Sequence, residues 1–125
     1  MALSGSFPPQ LGNLSFLVSV DLSGNNSRDF CHMNLFVCSG EIPEEIGDLH
    51  NLILVSMGSN NFSGKIPLSI FNTSSLQSLS LFENELSGPV PGKVGRLANL
   101  QILQLIANRF TGEIPEEISN LTHLE

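Results

Sequence analysis

The sequence predicts an α/β repeat fold: a solenoid with a short-stranded parallel sheet on its concave face and short helices or 3-10 turns on its convex face. Two observations predict it. The first is a period. The heptapeptide GEIPEEI at 40–46 returns at 112–118, with GKIPLSI from Gly64 and GPVPGKV from Gly88 between them. Gly40, Gly64, Gly88 and Gly112 stand 24 residues apart, and Asn60, Asn84 and Asn108 keep the same step. The second is a set of apolar pairs on that step, Val55 with Met57, Leu79 with Leu81 and Leu103 with Leu105. Residues two apart share one face of a strand, so each pair marks a short strand with one buried side. Self-similarity at such a period marks stacked units, none of which buries its apolar face without a neighbour.

The repeat reads LxxLxxLxLxxNxFxGxIPxxIGx, and each position has a physical task. Strands are expected around Val20–Leu22, Val55–Met57, Leu79–Leu81 and Leu103–Leu105. After each strand the chain turns inside a packed body, and an Asn carboxamide can both donate to and accept from backbone there. Asn25, Asn60, Asn84 and Asn108 are therefore read as a structural ladder. The Gly that follows permits positive φ or close approach. Pro43, Pro67, Pro91 and Pro115 suit the first position of an outer helical turn, and Glu44, Glu45, Glu116 and Glu117 favour its positive end.

One segment breaks the period. Asn25 precedes Asn60 by 35 residues, eleven more than the repeat allows, and the excess is assigned to an inserted loop at 27–37 within a single array over 1–125. Both cysteines lie there or beside it. Cys38 occupies the slot of Phe62, Leu86 and Phe110 and is expected to be a small buried hydrophobe. Cys31 and Cys38 form a candidate disulfide if the compartment is oxidising. A zinc site from Cys31, His32, Cys38 and His50 matches no recognised ligand spacing. A bulged surface loop is the reading the spacing favours.

Composition excludes several functions. The 125 residues are 41% hydrophobic and 14% charged, as in one folded domain. Twelve acids against five bases give a net charge of −7, and Arg28, Lys65, Lys93, Arg96 and Arg109 form no cluster, so nucleic acid and anionic membrane are poor partners. No phosphate-cradling glycine motif occurs. The paired glutamates are expected on an outer solvated face, where two carboxyls cannot share a cleft, and no Ser or Cys nucleophile has an evident base. The chain is read as a non-enzyme without cofactor. Met1–Val20 has neither the basic start of a signal peptide nor the unbroken apolar run of a membrane span.

The segments NNFSGKIP, NELSGPVP and NRFTGEIPEEISNL, with the 24-residue step, resemble the plant-specific class of leucine-rich repeats over the whole chain except 27–37. This class is similar to ectodomains of plant leucine-rich-repeat receptor-like kinases and receptor-like proteins, and to polygalacturonase-inhibiting proteins. The resemblance implies a leucine-rich-repeat solenoid that recognises a peptide or protein ligand and a co-receptor, outside the plasma membrane. A Ser/Thr kinase domain would belong to the parent receptor and has no motif here. A secreted polygalacturonase inhibitor is the alternative, and a truncated remnant is a third. An amino-terminal cysteine cap, a secretion signal and a membrane helix are missing, and both ends fall inside a repeat, so the chain reads as an excerpt. Thr73, where most coils have Leu, is a further departure. Candidate glycosylation sites are Asn13, Asn61, Asn72 and Asn120; Asn25 also satisfies the acceptor pattern but is expected to be buried.

Function is expected on the concave sheet, where residues flanking the inward pair point to solvent and stack into columns about 4.8 Å apart. The candidate ligand-binding residues are Ile53, Ser56, Gly58, Ser80, Phe82, Glu83, Gln104 and Ile106. Stacked Phe82 and Ile106 beside Ser56, Ser80 and Gln104 form a partly apolar, hydrogen-bonding strip suited to an extended peptide or a protein edge.

Overall fold

The computed structural model describes residues 16–23 and 39–125. Among these described residues, eight strands in pairs alternate with four 3-10 turns. The strands are β1 Ser19–Asp21, β2 Ser39–Glu41, β3 Leu54–Ser56, β4 Asn61–Gly64, β5 Ser78–Ser80, β6 Glu85–Pro89, β7 Ile102–Gln104 and β8 Arg109–Thr111. The turns occupy Glu44–Asp48, Leu68–Asn72, Gly92–Arg96 and Glu116–Asn120. Odd-numbered strands form one parallel sheet in the order β1-β3-β5-β7, and even-numbered strands form a second in the order β2-β4-β6-β8.

The first sheet is the one that the apolar pairs predict. Val20, Val55, Leu79 and Leu103 are partners across it. The ladder continues one residue further, where the N–H groups of Leu22, Met57 and Leu81 donate to Ser56, Ser80 and Gln104 at 2.7–2.8 Å. Leu22, Met57, Leu81 and Leu105 therefore stand side by side. Its register is 24 from β3 to β5 and from β5 to β7, but 35 from β1 to β3. The difference, 35 − 24 = 11, is absorbed without loss of pairing. Since β2 and β4 keep the spacing of later coils, the extra residues fall between Asp21 and Ser39. Cys31, Cys38, Asn13, Asn25 and the segment 27–37 lie outside the described residues.

The second sheet adds to the sequence reading, which names one strand in each repeat and assigns none to the stretch around the recurring Gly. Here Ser39 pairs with Asn61, Ser63 with Glu85 and Ser87 with Arg109, a step of 22 rather than 24. A shift of two leaves every side chain on its original face, because faces alternate with period two. Phe62 and Leu86 accordingly remain fully buried. Equivalent residues thus step along the strand from coil to coil, whereas in the first sheet they stand directly over one another. Gly40, Gly64, Gly88 and Gly112 adopt φ between 76° and 93° within or at the end of these strands, the left-handed region that a side chain would strain.

The prolines are displaced from their expected place. Pro43, Pro67, Pro91 and Pro115 have extended backbone (φ −74° to −63°, ψ 130° to 149°) and precede the 3-10 turns, which begin one residue later. The carbonyl of each proline accepts the N–H of Ile46, Ile70, Val94 or Ile118, so it caps the turn from outside.

Two polar ladders join the coils. In the first, the Asn84 amide group lies within hydrogen-bond distance of Met57 O (2.9 Å), Leu81 O and Phe82 O (both 3.1 Å), and its Oδ1 accepts the Phe62 N–H at 2.9 Å. Asn60 likewise donates to Leu22 O, Met57 O and Gly58 O, and Asn108 donates to Leu81 O while accepting from Leu86 N–H. Each carboxamide thus ties its own turn to the preceding coil. The second ladder runs along the other corner. Ser75 Oγ donates to His50 O and Leu52 O, Asn99 Nδ2 donates to Ser74 O, and His123 Nδ1 sits 3.1 Å from Ala98 O. His123 thus occupies the position of Ser75 and Asn99 in this ladder, and its contact is a hydrogen bond when Nδ1 carries the proton.

Burial follows stacking. Leu52, Val55, Met57, Leu76, Leu79 and Leu81 are wholly buried between neighbours, whereas Leu103, Leu105 and Phe110 in the last described coil are only partly so. The slot before each proline shows the same gradient, from Ile42 and Ile66 at 4% exposed to Ile114 at 80%. One core slot is chemically wrong. Thr73 takes the place of Leu49, Leu97 and Leu121, is 1% exposed, and its Oγ1 has no hydrogen-bond partner.

Two stability outcomes follow from these contacts. Asn84→Ala removes the acceptor of the buried Phe62 N–H and one of the two amide donors to the Met57 carbonyl, and urea denaturation should show a loss of about 2 kcal/mol, more than for the half-buried Asn108→Ala. Thr73→Val removes an unpaired buried hydroxyl at equal volume, and the same titration should show a gain of about 1 kcal/mol.

Candidate ligand-recognition face

The concave sheet carries the predicted site residues in columns set by the register of the odd strands. Ser19, Leu54, Ser78 and Ile102 form one, and Asp21, Ser56, Ser80 and Gln104 the next. Beyond the strands, the turn residues Gly58, Phe82 and Ile106 continue the stack, followed by Ser59, Glu83 and Ala107. Along the opposite margin the N–H groups of Ile53, Gln77, Gln101 and Glu125 each donate at 2.8 Å to the equivalent carbonyl one coil earlier, Val18, Ile53, Gln77 or Gln101. This places Glu125 on the same face, which the 24-residue step from Gln101 could have disclosed.

Backbone conformation aims the outermost column. Ser59, Glu83 and Ala107 have φ of 56°, 51° and 57°, left-handed values costly for residues with a Cβ. The neighbouring coil holds them there. Ser59 N–H donates to Phe82 O and Asn60 N–H to Glu83 O, and Glu83 N–H and Asn84 N–H donate likewise to Ile106 O and Ala107 O. Ser59 Oγ donates to Glu83 Oε2 at 2.7 Å, which orients that carboxylate across the columns. The sequence reading omits Ser59 from the binding set, since nothing in the pattern reveals a hydroxyl-to-carboxylate contact between coils.

Of the predicted residues, Ile53, Glu83, Gln104 and Ile106 are exposed, Ile106 at 77%. Ser56 and Phe82 are half-buried. Two are corrected. Gly58 is buried because the Phe82 ring lies directly on it, where any Cβ would collide with the ring. It shapes the floor and presents no surface of its own. Ser80 is 5% exposed, and its hydroxyl donates to Gln104 Oε1 at 2.6 Å. Ser80 thus holds the exposed Gln104 carboxamide through its oxygen. The result is a ledge of Phe82 and Ile106 between a fixed amide and a fixed carboxylate.

The acids of this face stand apart. Asp21 Oδ1 accepts from Ser23 N–H and Oγ at 3.0 and 2.6 Å, and Asp21 and Glu83 lie in different columns two coils apart, about 10 Å along the stack. Among the described residues, no group of three or more His, Cys, Asp or Glu side chains is placed to hold a metal ion.

The comparisons with known proteins agree with this geometry. The Leucine Rich Repeat family model matches residues 99–121. This is a leucine-rich-repeat chain. The ectodomain of the Arabidopsis thaliana membrane receptor kinase GASSHO1/SCHENGEN3, solved with CASPARIAN STRIP INTEGRITY FACTOR 2, is 37% identical with a TM-score of 0.83, over 97% of this chain and 13% of that one. The Arabidopsis receptor kinase HAESA, solved with the peptide hormone IDA and the co-receptor SERK1, is 33% identical with a TM-score of 0.81, over 97% of this chain and 19% of that one. The ectodomain of the Arabidopsis thaliana receptor kinase SOBIR1 is 31% identical with a TM-score of 0.68, over 71% and 49% of the two chains. The leucine-rich-repeat chain therefore spans less than half the length of each of these structures. No curated protein matches it. Among its described residues no helix is long and apolar enough to cross a membrane.

The Phe82–Gly58 contact yields a direct test of the ledge. Gly58→Ala should displace the ring and destabilise the leucine-rich-repeat array by about 1–3 kcal/mol in thermal or urea unfolding, while Phe82→Leu should relieve the clash in the double variant.

Proposed function

We propose that this chain is a segment of the extracellular recognition array of a plant cell-surface receptor-like kinase or receptor-like protein. It binds a peptide or protein ligand across its concave sheet, outside the plasma membrane. The observation that carries this reading is the open ledge of Phe82 and Ile106, flanked by Gln104 and Glu83, on a chain 37% identical to a receptor-kinase ectodomain solved with its factor. A fixed ledge with oriented polar neighbours costs little side-chain entropy to bind against. The HAESA structure, which holds both a peptide hormone and a co-receptor, supports a second protein partner beside the ligand.

In this reading the array is a single domain of stacked 24-residue repeats, with 27–37 as an insertion that lies outside the described residues. The kinase chemistry of such a receptor resides in a separate domain, and the array contributes binding alone. Asn61, Asn72 and Asn120 are exposed acceptor sites for glycans. Asn61 begins β4 and Asn72 and Asn120 close their 3-10 turns, so sugars there would leave the concave face clear.

A photo-reactive benzophenone residue tests the assignment of the face. Placed at Ile106 of the whole chain, it should label peptides or proteins of the plant extracellular fluid; placed at the exposed convex residue Leu68, it should not. Equal labelling from both positions, or labelling from Leu68 alone, would refute binding through the concave sheet.

A further inference from the structure

We infer that the ligand segment seated on the concave sheet is cationic: an extended peptide in which a Lys or Arg accompanies the apolar side chain that rests on Ile106 and Phe82. This inference rests on the concave-face reading and adds the chemistry of the occupant. Its basis is a segregation of charge. The described residues of the concave columns include three acids, Asp21, Glu83 and Glu125, and no base.

The described bases all lie elsewhere. Lys65 follows β4, and its stem runs along Gly88 in the next coil. Lys93 and Arg96 belong to the turn Gly92–Arg96. Arg109, in β8, sits 3.6 Å from Glu85 and faces a carboxylate of the second sheet. Among the described residues the acids of the concave face therefore have no cationic counterpart there, while the molecule as a whole carries −7. Such a face attracts a basic segment and repels an acidic one, at reach set by a screening length of about 8 Å in physiological salt.

Geometry narrows the fit. Glu83 lies in the column beside Phe82 and Ile106, and its carboxylate is held by Ser59 Oγ at 2.7 Å instead of moving freely. Successive coils are about 4.8 Å apart, so an extended peptide crossing the strands advances one to two residues per coil. An apolar residue on Ile106 then places its neighbour in reach of Glu83. Asp21, two coils back, faces a position about three residues along the same peptide.

The test uses a display library of short random peptides, panned on the whole chain at physiological ionic strength, followed by fluorescence anisotropy with labelled synthetic copies of the enriched peptides. Lys and Arg should be enriched over the naive library. Glu83→Gln, which keeps the acceptor for Ser59, should weaken binding about two- to fivefold, and the difference should vanish near 1 M salt. Glu45→Gln, on the convex face, should leave affinity unchanged and so control for the net charge. Enriched peptides without excess bases that lose affinity with Ile106→Asp yet ignore Glu83→Gln would overturn the cationic inference and leave the concave-face reading standing. Equal losses with Glu45→Gln and Glu83→Gln would overturn it too, as diffuse attraction. Peptides indifferent to Ile106→Asp, or none captured, would overturn the underlying reading as well.

Discussion

The structure depends on one constraint: a coil this thin cannot satisfy its own backbone or bury its own core. The Asn carboxamide meets the first requirement. At Asn84 a single side chain reaches carbonyls of two coils and accepts an N–H from the earlier one, at a depth where water cannot substitute. The apolar pairs meet the second. Leu79 and Leu81 are fully buried because β3 and β7 flank their strand, and the identical residues Leu103 and Leu105 are only partly buried with one neighbour described. Stability is thus a property of adjacent coils, which is why the same side chain has different worth at different positions along the stack.

That constraint also makes a recognition surface. Stacking in exact register on the odd strands turns residues 24 apart into contiguous columns, so a ligand would touch side chains that are remote in the chain. The columns are rigid for reasons internal to the stack. Phe82 lies on the missing side chain of Gly58, Gln104 is held by Ser80, and Glu83 is held by Ser59 in a turn whose left-handed backbone the next coil enforces. Variation at these positions changes what the face presents without disturbing the inward pairs. A fold of this kind can present many different surfaces on one scaffold.

Much of the architecture was legible because period-two alternation and a 24-residue step are both direct consequences of stacking. The Asn ladder was legible for the same reason, since a polar residue recurring among apolar ones in a core must be hydrogen-bonded. The second sheet was hidden. Three of its four strands contain a Gly and all run only three to five residues, features that otherwise argue for turn, and they form because a neighbouring coil offers its edge at a 22-residue offset. The proline position was misjudged by one residue, since its carbonyl proved to be the acceptor that starts each 3-10 turn. The corner ladder of Ser75, Asn99 and His123 has no common residue type, only a common backbone acceptor, and so leaves no pattern in the sequence.

The sequence by itself determined the repeat unit, the inward pairs, the ladder Asn and the solvent-facing positions, because each follows from local alternation or from a residue type that a packed turn requires. Tertiary structure alone decided which of those solvent-facing positions remain open. Gly58 vanished beneath Phe82, Ser80 turned to support Gln104, and Ile106 was left bare, since exposure in a stack depends on what the adjacent coil places above it. No single repeat contains that information. It arises only when two coils meet.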